Sequence, residues 1–166
     1  MSALVLASKS VTRSKLLRNA GLDFTAQPAR VDEESIKIGM HAEGAKPIEA
    51  AQALADLKAA RISPNWPDAF VVGADQILEC DGVWFDKPES ISAAQGQLAS
   101  LSGRTHHLHT AAAVAKDGTV IWRDSAHATL TMRTLDDAAI ASYLASAGDT
   151  VLESVGAYQL EGLGVQ

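Results

Sequence analysis

The sequence predicts a mixed α/β domain, and three observations carry the prediction. Apolar runs of strand length alternate with stretches of helical period. Asp81-Gly82 and Lys116-Asp117-Gly118 each separate two extended segments and read as hairpin turns. Strands and helices follow no regular series of parallel crossovers, so the sheet is expected to be mixed. At 166 residues the chain can bury one sizeable core but not two ordinary ones, so one domain with room for two lobes is expected over residues 1–166.

Residues 3–7 are a short apolar first strand, with no basic leader or small-residue cleavage site to make them a signal peptide. Ser8-Lys9-Ser10-Val11-Thr12-Arg13-Ser14 then opens an amphipathic helix through Leu16, Leu17 and Ala20, with Gly21 at its C-cap. A strand, a hydroxyl-rich loop and a helix start make an anion cradle, because free backbone N–H groups and the helix dipole point at whatever lies there. The same residues suit a plain cap at Ser10 or Thr12 with Arg13 on the surface. Residues 24–46 are mixed and less legible, and in them Asp32-Glu33-Glu34 either faces solvent or lies near a metal.

Pro47 starts a helix to about Ile62, with Glu49, Gln52 and Asp56 on one side and Ala51, Leu54, Lys58 and Ile62 on the other. Lys58, inside the apolar stripe, either snorkels to solvent or points its ammonium into a cleft. After the loop Ser63-Pro64-Asn65-Trp66-Pro67 comes the central strand, Phe70 to Leu78, with Val71, Gly73, Asp75 and Ile77 on one face. Aspartate is depleted from strands, and a charge in an apolar run is costly without a partner, so Asp75 calls for a function. Gly73 leaves room beside it for a ligand or another backbone. The Asp81-Gly82 turn brings Val83 to Phe85 back along this strand and Lys87 towards Asp75.

Ser90 or Ser92 caps a helix through Leu98 and Leu101 that ends at Gly103, and the hairpin Thr105–Ala115 and Thr119–Arg133 follows. His107 and His109 share a strand face without a carboxylate or cysteine at ligand spacing. Thr134-Leu135-Asp136-Asp137 starts a last helix that stops at Gly148, and the glycine-rich segment 156–164 reads as backbone that must approach something closely.

The net charge of −6 argues against a duplex nucleic-acid binder, which needs a basic face, but leaves room for a small polyanion held by a few cations or a metal. No apolar run reaches membrane-spanning length, so no membrane partner is expected. The single cysteine, Cys80, excludes an internal disulfide and fits a reducing, cytoplasmic compartment; its acidic neighbours Glu79 and Asp81 would raise the thiol pKa and argue against a reactive thiol.

In sequence order, six motifs resemble the Maf family of nucleotide pyrophosphatases: Leu6-Ala7-Ser8-Lys9-Ser10-Val11-Thr12-Arg13, Leu57-Lys58-Ala59, Gly73-Ala74-Asp75-Gln76, Lys87-Pro88, Leu101 to Thr110, and Val155 to Gly164. The resemblance implies a two-lobed fold with an elongated twisted sheet, flanking helices and a central cleft. It implies hydrolysis of nucleoside triphosphates to monophosphate and pyrophosphate with Mg²⁺ or Mn²⁺. Asp75 would then be the proton acceptor, Ser8, Ser10, Arg13, Lys58 and Lys87 would bind the phosphates, and Glu33 would lie at the metal.

Three positions separate the family's branches in substrate choice, here Thr12, Gln76 and Glu161. Arg, Thr and Gln accompany the dTTP/UTP branch, whereas Trp, Gln and Glu accompany the 7-methyl-GTP branch, which this chain matches at two of the three. A carboxylate at Glu161 suits a cationic methylated purine, while Thr12 cannot stack as a tryptophan would. Val11 and Thr12 also replace the proline and first arginine of the opening motif. The chain is expected to lack the C-terminal strand and helix of its relatives. A non-catalytic nucleotide-binding regulator of septum formation is the competing reading, and a homodimer is among the open oligomeric states.

Overall fold

A computed structural model describes residues 3–165. Six strands form a mixed sheet in the order β2-β1-β3-β5-β6, with β4 paired to β3. The strands are β1 (Leu4–Leu6), β2 (Thr25–Ala26), β3 (Phe70–Cys80), β4 (Val83–Phe85), β5 (Thr105–Lys116) and β6 (Thr119–Thr131), and the helices are α1 (Val11–Asn19), α2 (Glu33–Ala42), α3 (Pro47–Ile62), α4 (Ile91–Leu101) and α5 (Asp137–Ala147). β1 runs parallel to both β2 and β3, whereas β4 folds back antiparallel on β3. The chain divides into two compact units, Met1–Gln76 with His109–Ala126, and Ile77–Leu108 with His127–Gln166.

The first unit is built by packing α3 against small side chains. Ala50, Ala51, Leu54, Ala55 and Ala59 form the buried stripe of α3, and Ala111, Ala113 and Ala115 are the buried positions of β5. Alanine on facing surfaces lets helix and sheet approach closely, and Gly73 takes the approach further. A Cβ at Gly73 would collide with Ala55 O and lie 2.7 Å from Ala59 N. The space beside Asp75 is therefore filled by the α3 backbone and not by a ligand, which corrects one of the two uses expected of Gly73. Because a helix backbone cannot yield as a side chain does, Gly73→Ala should cost at least about 1–3 kcal/mol. The check is the urea midpoint, and an unchanged midpoint would contradict the packing described.

The second unit has its own core, in which Leu78, Leu98, Leu101, Ile140, Leu144 and Val151 surround Ala157 and Tyr158. Gly156 has φ +77°, and a Cβ there would overlap Leu78 and crowd Leu101 and Tyr158. His106, 1% exposed, pairs through Nε2 with the Tyr158 hydroxyl at 2.7 Å.

Three local expectations change. Asp136, not Thr134, caps α5, accepting from Ala139 N at 2.7 Å. Leu16 is exposed, so α1 lacks the full apolar face its spacing suggests. Helix α2 occupies part of the mixed stretch 24–46, and Asp32 is its N-cap, accepting from Ser35 N at 3.1 Å. None of its residues is fully buried.

Candidate active site

The geometry begins where β1 ends. Leu6 pairs with Val72, and Ala7 N donates to Val72 O at 2.8 Å, after which β1 gives way to a loop while β3 runs on through Asp75. In the loop, Ser8 Oγ accepts from Ser10 N at 3.2 Å and from Arg13 Nη1 at 3.3 Å. Ser10 caps α1, its Oγ accepting from Arg13 N at 3.3 Å. Ser10 is thus a cap, as the plainer reading has it, whereas Arg13 is half-buried and folded back onto Ser8 and does not lie free on the surface. Burial lowers the Arg13 pKa, opposed by the charges of Asp75 and Glu33.

Lys58 joins the carboxylates. It is 5% exposed on the buried side of α3, with Nζ 2.6 Å from Asp75 Oδ1 and 2.9 Å from Glu33 Oε1. Its charge is directed inward, which decides between the two uses open to a lysine in the stripe. Asp75 is 3% exposed, and its second oxygen, Oδ2, is buried without a hydrogen-bond partner. An unsatisfied buried carboxylate oxygen is costly, and a native structure keeps one where a ligand or a proton completes it.

The two acids respond in opposite directions. Burial raises the Asp75 pKa by more than Lys58 lowers it. At Glu33 burial also raises the pKa, but the Lys58 hydrogen bond and the charges of Lys58, Lys37 and Arg13 outweigh it, and the net shift is downward. Neighbouring carboxylates whose surroundings push them apart are suited to different tasks, one exchanging a proton and the other remaining ionised.

The site's own donors towards a metal are hard carboxylate oxygens, which suit Mg²⁺ or Mn²⁺. Among the described residues no group of three His, Cys, Asp or Glu is arranged to hold an ion. Such an ion would be held by Glu33, which is half-exposed, with substrate phosphates and water completing its shell.

Of the other expected residues, Thr12 is exposed in the first turn of α1 and Gln76 is half-buried, directly after Asp75. Lys87 and Glu161 belong to the second unit, where Lys87 Nζ lies 3.6 Å from Glu153 Oε2 and Glu161 is exposed in a turn. β4 pairs with β3 only from Cys80 to Leu78, so the strand pairing that was to carry Lys87 back ends before Asp75. Among the described residues no helix is long and apolar enough to cross a membrane.

A family model described as Maf-like protein matches residues 3–166. The chain belongs to the Maf family. Among relatives of this Maf chain, a protein of Paramagnetospirillum magneticum described as nucleoside triphosphate pyrophosphatase is 48% identical over 98% of the chain and 84% of its own length. A 7-methyl-GTP pyrophosphatase of Brucella abortus is 45% identical over 98% of the chain and 82% of its own length. A solved HAM1 protein from Coxiella burnetii aligns at TM-score 0.47 and 16% identity, covering 78% of this chain and 71% of that one.

Two neighbours of the candidate site residues in this Maf chain were not foreseen. The charge of Lys37 lowers the pKa of both Glu33 and Asp75, and its spacing from Glu33, one helical turn on, was the available signal once α2 is recognised. Thr110 is the partner of Gln76, its Oγ1 accepting from Gln76 Nε2 at 2.8 Å. Nothing in the sequence pairs two residues 34 positions apart on different strands.

Proposed function

We infer that the chain is a nucleoside triphosphate pyrophosphatase that cleaves the α–β phosphoanhydride, releasing nucleoside monophosphate and pyrophosphate. The observation that carries this reading is Asp75, a buried carboxylate with one oxygen on Lys58 and the other unsatisfied, beside the Ser8–Arg13 loop. The relatives described as nucleoside triphosphate and 7-methyl-GTP pyrophosphatases support it.

Asp75 Oδ2 is the proton acceptor for the attacking water. A carboxylate held partly dry, with its pKa raised by burial, is a stronger base than one in water and still ionises beside Lys58. Lys58 and Arg13 meet the charge that develops on the phosphate oxygens, with Ser8 and Ser10 shaping the loop at the start of α1. Glu33 would hold a divalent ion, which would supply neutralisation of phosphate charge when bound. As the bond between the α-phosphorus and the bridging oxygen breaks, that oxygen leaves on pyrophosphate and the water's oxygen remains on the monophosphate. The finer reading, a methylated guanine nucleotide, rests on Gln76 and Glu161.

The test is product analysis over GTP, 7-methyl-GTP, UTP, dTTP, ATP and CTP with Mg²⁺ or Mn²⁺. Pyrophosphate and monophosphate are expected in equal amounts. Orthophosphate with a diphosphate, or binding without any turnover, would overturn the reading.

A further inference from the structure

β3 and β5 each have one face against α3 and one turned away from it. Gly73 meets the α3 backbone, so the alternation of β3 puts Val72, Ala74 and Gln76 on the opposite face. On the part of β5 in the first unit the buried residues are Ala111, Ala113 and Ala115, and the half-buried set Thr110, Ala112 and Val114 shares the face of Gln76. Four of these six side chains are alanine or valine, giving a shallow apolar surface on which a flat ring can lie. Gln76 and Thr110 are its two polar residues, and they are bonded to each other at 2.8 Å. This surface begins next to the Ser8–Arg13 loop, since Val72 pairs with Leu6 at the end of β1.

A primary amide offers a donor end and an acceptor end, and a neighbour that occupies one end presents the other. With Nε2 committed to Thr110, the carbonyl Oε1 is left for a ligand. We propose that Thr110 is a positioning residue for base selection, holding the Gln76 amide so that Oε1 accepts from the ring N–H of a guanine, uracil or thymine base. Adenine and cytosine carry an acceptor nitrogen at that ring position, and they would set two acceptors against each other. Methylation at N7 of guanine makes the ring N–H a stronger donor, so it preserves the direction of the preference. The inference rests on the pyrophosphatase reading above and deepens it.

The experiment compares kcat/KM for GTP against ATP and for UTP against CTP, pairs matched in ring size, and measures equilibrium binding of the same nucleotides by calorimetry. The wild type should favour GTP and UTP. Thr110→Val keeps the shape and removes the hydroxyl, so both ratios should fall about tenfold while kcat on GTP changes little. Thr110→Ser should restore them, which a role in packing alone does not explain. Gln76→Glu offers only acceptors and should keep the order GTP over ATP, an arm that stands even if the valine variant folds poorly. Unchanged ratios in Thr110→Val, a wild-type preference for ATP and CTP, or a reversed order in Gln76→Glu would each overturn the proposal. Selective binding without turnover counts against the pyrophosphatase reading alone; neither binding nor turnover overturns both.

Discussion

Asp75→Asn is expected to lower turnover about 10²–10⁴-fold while nucleotide binding stays within a few-fold of wild type. The amide keeps the shape and can still accept from Lys58 through its oxygen, and Glu33 continues to hold Lys58 at 2.9 Å. The ability to take a proton is lost together with the negative charge, and near-normal activity would refute the assigned role. The pH profile gives a second check. A base must be ionised, so wild-type activity falls as pH drops through the Asp75 pKa, which burial raises above the ordinary aspartate value. The acid limb of kcat/KM should therefore lie above the usual aspartate range and disappear in the residual activity of the variant.

Stability should move the other way. A carboxyl whose pKa is raised on folding contributes stability fully present below its unfolded pKa and lost as pH rises through the folded value. At neutral pH the wild type carries that cost and Asp75→Asn does not. The variant should melt at or above the wild-type temperature in calorimetry, an exchange of stability for function seen at many active sites.

Lys58→Met should have the largest effect on folding. It leaves two carboxylates facing each other without their shared cation, and breaking a buried pair from one side costs about 3–5 kcal/mol. Turnover is lost as well, because the phosphate contact goes and the base is pushed towards its protonated form. In the double variant Lys58→Met/Asp75→Asn the buried charge is gone, so the urea midpoint should recover much of its loss while activity does not. A midpoint no better than that of Lys58→Met alone would show that the lysine acts through its packing.

The elements with a strong period or a definite turn were legible: α3 from Pro47 and its alanine stripe, the β3–β4 reversal from Asp81-Gly82, and the long β5–β6 hairpin. So were Asp75 and Lys58, because a charge in an apolar pattern is conspicuous wherever it lies. What escaped was α2, whose residues make no buried stripe, and with it the way Glu33 reaches Lys58. The acidic run looked solvated because two of its three members are exposed, Asp32 capping the helix, and only Glu33 turns inward. The role of Gly73 was half legible. An absent side chain announces a close approach without saying what approaches.

That approach bears on how accurately the acid and the cation are held. Lysine has four rotatable side-chain bonds, and an ion pair spanned by such a chain would ordinarily have room to wander. Here Asp75 lies two residues from Gly73, and Lys58 is the neighbour of Ala59, whose backbone packs on that glycine. The tolerance of the pair is therefore that of two main chains in contact, and the side chains have little slack to take up. Adjusting the basicity of Asp75 by resetting its distance to Lys58 would mean shifting a sixteen-residue helix as one body.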